Sequence, residues 1–299
     1  MLQTLRRRPL AAALPLSLAF LSGCDVQFPE QEVRMQYDTE ADTLDVLFIY
    51  KGVHTPETSA QALNDGKNVA DRILAGRREF MLLDWPYLWD LDELAEDESQ
   101  VMAVHRIIER VSLVEVGAFL DPQERLSSFQ HFRMTEVADT LGQANQLLTG
   151  MVQLGLLTGE IAGQVPWMDD EEQDAWGEFC QSGTPWVAIE DNQIVVRVPA
   201  TERGAAAMLR ALMQEAAANE AEPGSVDPMA LLLDNLSGFQ AADGVATLTF
   251  GGQDEGVGTL QLNRAGLGYD PTLHKHLRNN GLDLEGAPDL AAVRARLGG

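Results

Sequence analysis

Basic side chains are scarce in this 299-residue chain: 21 Lys and Arg stand against 46 Asp and Glu, a formal charge of −25. A nucleic-acid binder needs a basic face to displace counterions from phosphates, so no nucleic-acid partner is expected. Two cysteines cannot staple a disulfide miniprotein. The five histidines lack metal-ligand spacing: His274 and His276 are two apart and point in different directions on a helix, unlike the i, i+4 pair of H-E-x-x-H sites. A G-x-S-x-G elbow, a Walker loop and a G-x-G-x-x-G turn are also missing, so neither a cofactor nor a metal is expected. What remains is 45% hydrophobic, ordinary for a folded body and too apolar for disorder.

Arg6, Arg7 and Arg8 open the chain with positive charge, and Ala11 to Leu21 form an apolar run well short of the roughly 20 residues a spanning helix needs. The run ends in Leu21-Ser22-Gly23-Cys24, which resembles the lipobox of bacterial lipoproteins. The resemblance is confined to residues 1–25. It implies cleavage before Cys24 and fatty acylation of that cysteine, giving a signal peptide at 1–23, a lipidated tether at 24–31 and a body at 32–299. Asp25 resembles an inner-membrane retention signal, which tips the expected location slightly towards the periplasmic face of the inner membrane rather than the outer membrane. The expected partners are the membrane, through the lipid, and an envelope protein. Removing Arg6, Arg7 and Arg8 with the leader deepens the charge from −25 to −28, so the body is repelled by anionic headgroups. Cys180, left without an intramolecular partner, is expected to be a buried, inert thiol.

The body reads as strand-strand-helix four times. Val33, Met35 and Tyr37 alternate with polar residues ahead of Asp38 to Asp42, the run from Thr43 to Tyr50 follows, and Thr55-Pro56-Glu57 offers a helix start with Gly76 as its stop. Val111 to Leu120 and Arg125 to Met134 flank Asp121-Pro122-Gln123-Glu124, ahead of a helix capped by Thr135. Trp186 to Glu190 and Gln193 to Val198 flank Asp191-Asn192, ahead of a helix from Thr201. Val245 to Phe250 and Gly258 to Leu262 flank a Gly-rich turn, ahead of a short helix capped by Asp270-Pro271 and ending before Gly281. This predicts an α+β body with a largely antiparallel sheet and helices packed mainly on one side. Length and an acidic, loop-like middle leave a subdivision near 160–225 open.

Chemistry concentrates in 82–93, where Asp84, Trp85, Tyr87, Trp89, Asp90 and Asp92 could line a pocket, with His54 at a strand-to-helix turn as a base. The competing reading is an aromatic plug with its acids solvated or capping a helix, and a His54 bonded to local backbone. Asp169-Asp170-Glu171-Glu172 reads as acids at a helix start rather than a metal cluster. The apolar stripe through Leu141, Leu148 and Met151 reads as core. No catalytic residue is assigned. The expected function is a lipid-anchored, non-catalytic binding or structural module, and the alternative is a carboxylate- or metal-assisted hydrolase centred on Asp84, Asp90 and Asp92.

Overall fold

The computed structural model describes residues 26–81, 88–96, 102–158, 169–218, 233–254, 256–263 and 267–297. Strand β1 (Glu30–Asp38) turns into β2 (Thr43–Lys51) through a loop in which the Asp38 carboxylate accepts from the Glu40 and Ala41 amides. Helix α1 (Ala60–Leu74) starts later than expected. Ser59 accepts from the Ala62 amide and is the cap, whereas the Thr55 hydroxyl donates to the Glu57 carbonyl and holds a turn ahead of it. Gly76, at φ +80°, closes the helix with an amide bond to the Ile73 carbonyl.

Strands β3 (Glu79–Met81) and β4 (Leu88–Asp90) form a small ladder, followed by α2 (Leu91–Glu96) and α3 (Met102–Glu109). The second hairpin, β5 (Val111–Leu120) and β6 (Leu126–Thr135), folds around Asp121, whose Oδ1 accepts from the Gln123 and Arg125 amides. Helix α4 (Val137–Thr158) is capped across the molecule, because Asp42 of the first turn accepts from the Ala138 amide at 2.9 Å. Helix α5 (Asp170–Ser182) has Asp169 as its cap, as the acidic run implied. The third hairpin is β7 (Val187–Glu190) and β8 (Gln193–Pro199), with Asp191 and Asn192 both left-handed in the turn, followed by α6 (Glu202–Ala218).

The chain ends with β9 (Leu236–Ala242), β10 (Val245–Phe250), β11 (Gly252–Asp254), β12 (Val257–Asn263), α7 (Thr272–Asn279) and α8 (Leu290–Arg294). All pairings are antiparallel, in a six-stranded sheet β11-β12-β1-β2-β6-β5, a four-stranded sheet β7-β8-β10-β9 and the β3-β4 pair. The fold is therefore α+β with a largely antiparallel sheet. Three of the expected units are paired hairpins followed by a helix. The fourth is not: β10 pairs with β8 and β9, while β12 pairs with β1 and β11, so the two runs lie in different sheets. Gly251, at φ +99°, lets the chain cross from one sheet to the other.

Alternation along the strands gives the large sheet two faces. Val33, Met35, Phe48, Tyr50 and Phe132 pack with Ile73 of α1, Leu91 of α2, Ile108 of α3 and Leu273 and Leu277 of α7. On the opposite face, Leu47, Ile49, Phe119, Phe129 and Val257 are covered by Val293 and Leu297 from the C-terminal segment. The smaller sheet packs Ala246 and Leu248 against Ala205 and Met208 of α6. The sheets are joined through the β7–β8 turn, where Asn192 accepts from the Tyr37 amide at 2.6 Å and donates to the Gly256 carbonyl at 2.6 Å. Only glycine fits at 258, because a Cβ there would overlap the Asn192 carbonyl.

The α4 stripe is core only at its start. Val137 is buried and Leu141 packs on the main core, but Leu148 and Met151 are exposed and Leu154 is 63% exposed. The helix docks on β7 through polar positions instead: Asn145 bonds both the amide and the carbonyl of Val187, and Thr149 accepts from the Trp186 indole. No described helix is long and apolar enough to cross a membrane.

Candidate functional site

Glu32 and Arg34 occupy alternate positions of β1 and so share a face of the large sheet. Arg34 sits opposite Leu47 and Thr259, and Glu32 opposite Ile49 and Gln261. Both charges are buried, Glu32 completely and Arg34 to within 4%. Three cations meet on the Glu32 carboxylate. Arg294 of α8 bonds it with two nitrogens, at 2.9 and 2.5 Å, Lys51 lies 3.1 Å away and Arg34 3.3 Å away. Burial pushes the Glu32 carboxyl up, but the Arg294 hydrogen bonds and the charges of Lys51 and Arg294 outweigh it and hold the group at about 2. The chain of alternating charge continues through Glu30, 3.9 Å from Lys51, to Arg125 and Asp121.

Of these residues, Glu32, Arg34 and Arg294 line a cleft of about 420 Å³ where the two sheets diverge. Its walls come from β11, β12 and the start of β9, and Asn235 ties them together by bonding both the amide and the carbonyl of Gln261. Asp254 stands at the mouth, 57% exposed, and accepts from Arg34 at 2.9 Å. Arg34 Nε and the Thr259 hydroxyl are buried without a protein partner. Each such group costs roughly 1–3 kcal/mol when left unmatched, so two in one cleft mark a place where the fold is not optimised for itself.

Of the sequence-predicted site residues, His54, Trp89, Asp90 and Asp92 fall within the described residues. His54 is buried in the β2–α1 connection, where its Nδ1 donates to the Gly52 carbonyl at 2.8 Å and its ring meets Tyr269 edge-on at 6.0 Å. Asp90 caps α2, accepting from the Asp92 and Glu93 amides at 3.0 and 3.1 Å. Asp92 is held by Arg78 at 2.8 and 2.5 Å. Asp90 and Asp92 thus meet through a helix cap, and among the described residues His54 bonds instead to the Gly52 carbonyl. Trp89 lies in β4 opposite Phe80, while Asp84, Trp85 and Tyr87 lie outside the described residues. Cys24 also lies outside them.

Glu79 is a second buried acid that sequence patterning did not mark. It pairs with Asp90 across the β3–β4 ladder and receives Arg72 at 2.9 and 3.1 Å. Burial raises its carboxyl, against the lowering pull of Arg72. Glu32, Arg34 and Arg294 were equally unmarked. In sequence Glu32 and Arg34 look like the solvent side of an alternating strand, and their burial depends on a helix more than 250 residues away. Among the described residues, no group of three or more His, Cys, Asp or Glu side chains is placed to hold a metal ion. Comparison of the chain with family models, with curated proteins and with solved structures gave no match.

Proposed function

We propose that this chain is a lipid-anchored cell-envelope protein that acts as a non-catalytic binding module, with the cleft above Glu32 and Arg34 as its recognition surface. The cleft carries this reading: it lies within the size range of small-molecule sites and places a few polar groups at its floor. The engagement of Asp90 in a helix cap and of Asp92 with Arg78 favours binding over carboxylate-driven hydrolysis. Anchoring rests on the basic start and the Leu21-Ser22-Gly23-Cys24 sequence. One acyl chain binds marginally at about 0.8 kcal/mol per buried methylene, whereas two or three hold a protein stably. Asp25 favours the periplasmic face of the inner membrane, with the acidic body kept in the aqueous space beside it.

Mass spectrometry of the protein from native membranes tests the anchor. The expected product begins at an acylated Cys24, and an intact leader or an unacylated start overturns the reading. Binding is tested by denaturing purified full-length protein and analysing what is released. The wild type is expected to release a small molecule that an Arg34→Met chain does not carry, and identical release from both refutes the cleft's role.

A further inference from the structure

Positive and negative groups line the cleft at different depths. The floor holds Arg34, with Arg294, 38% exposed, on the wall beside it, both fixed on Glu32, while Asp254 and the exposed Asp234 stand at the mouth. A simple anion would have to pass the two aspartates of an already acidic protein. A simple cation would have to settle against two guanidinium groups. A molecule with both charges meets a partner at each level.

The Arg34–Asp254 pair is the exchangeable contact. Glu32 is gripped by two nitrogens of Arg294 and is fully buried, whereas Asp254 is more than half exposed on a strand of three residues. Deepening the binding role proposed above, we infer that the ligand is a small zwitterion, a free amino acid or a dipeptide. Its carboxylate displaces Asp254 from Arg34 and its ammonium pairs with the freed Asp254. The single Arg34–Asp254 pair is exchanged for two pairs with the ligand, with no net charge buried.

The experiment is calorimetric titration of full-length protein in detergent with each standard amino acid and with glycylglycine, followed by the N-acetyl and carboxamide derivatives of the tightest binder. At least one zwitterion is expected to bind, and each derivative, missing one charge, to bind at least about tenfold more weakly. Asp254→Asn is expected to weaken binding by about tenfold while Arg34 keeps its contact with Glu32 and the chain stays folded. A derivative that binds as tightly as its parent, or an Asp254→Asn chain that binds as tightly as wild type, overturns the zwitterion. If no probe binds but wild type still releases a small molecule that Arg34→Met lacks, the ligand class is wrong and the binding role stands. If neither is seen, both fall.

Discussion

Replacing Glu32 by Gln removes one charge from a carboxylate that three cations share, and the structure fixes how the effect should vary with pH. The folded group is held at about 2 against an ordinary 4.5. A depressed carboxylate contributes stability that is fully present above its unfolded value and is lost as pH falls through its folded value. The shift corresponds to about 3 kcal/mol at pH 6, falling to about 1 kcal/mol at pH 3 and towards zero near pH 2. Gln is close in shape to the protonated acid, so the stability gap between wild type and Glu32→Gln should follow that curve. Urea unfolding of both proteins between pH 3 and 6 measures it, and taking the difference cancels carboxylates common to the two chains. A gap below about 1 kcal/mol at pH 6, the range of exposed ion pairs, or one that does not shrink towards pH 3, refutes the assignment of Glu32 as the buried centre of the network.

Glu79→Gln should give the opposite slope. Burial raises this carboxyl, so wild type loses stability as pH rises through the ordinary carboxylate range, and the variant's advantage should grow with pH in the same urea assay. Gly258→Ala should destabilise by about 3 kcal/mol or more, the upper end for overpacking, because its Cβ overlaps the Asn192 carbonyl at the junction of the sheets; thermal unfolding reads this directly. Cys180 is half-buried rather than buried as expected, and desolvation raises its thiol, so it should react with Ellman's reagent more slowly than free cysteine at pH 8.

Local patterns carried much of the fold into the sequence. Period-two alternation located β1 and β2, and turn residues such as Asp191-Asn192 located the hairpins. The fourth unit failed because β9, the real hairpin partner of β10, reads Leu-Ser-Gly-Phe-Gln-Ala-Ala, without one β-branched residue and with a glycine inside it. With that strand invisible, the two readable runs on either side of Gly251 looked like neighbours. The start of α1 was misplaced for a different reason: both Thr55 and Ser59 can cap, but the Thr55 hydroxyl is engaged with the Glu57 carbonyl and Ser59 takes the Ala62 amide. The candidate cleft was illegible because its charges come from β1, β11, α8 and Asp234 ahead of β9. Nothing in the spacing of Glu32 and Arg34 distinguishes two solvated side chains from two buried ones.

The contact between Glu32 and Arg294 spans 262 positions. Ribosomal synthesis and any vectorial export deliver the chain from its first residue onwards, so the first strand waits for nearly the last segment before its carboxylate is neutralised. A product cut short before Leu290 would lack Val293 and Leu297 and leave Leu47, Ile49 and Phe129 bare on one side of an otherwise assembled sheet. Such a patch is what chaperones and degradative proteases grip. The segment carrying Val293 and Leu297 therefore acts as a late-arriving cover, hiding a surface that the earlier strands leave open.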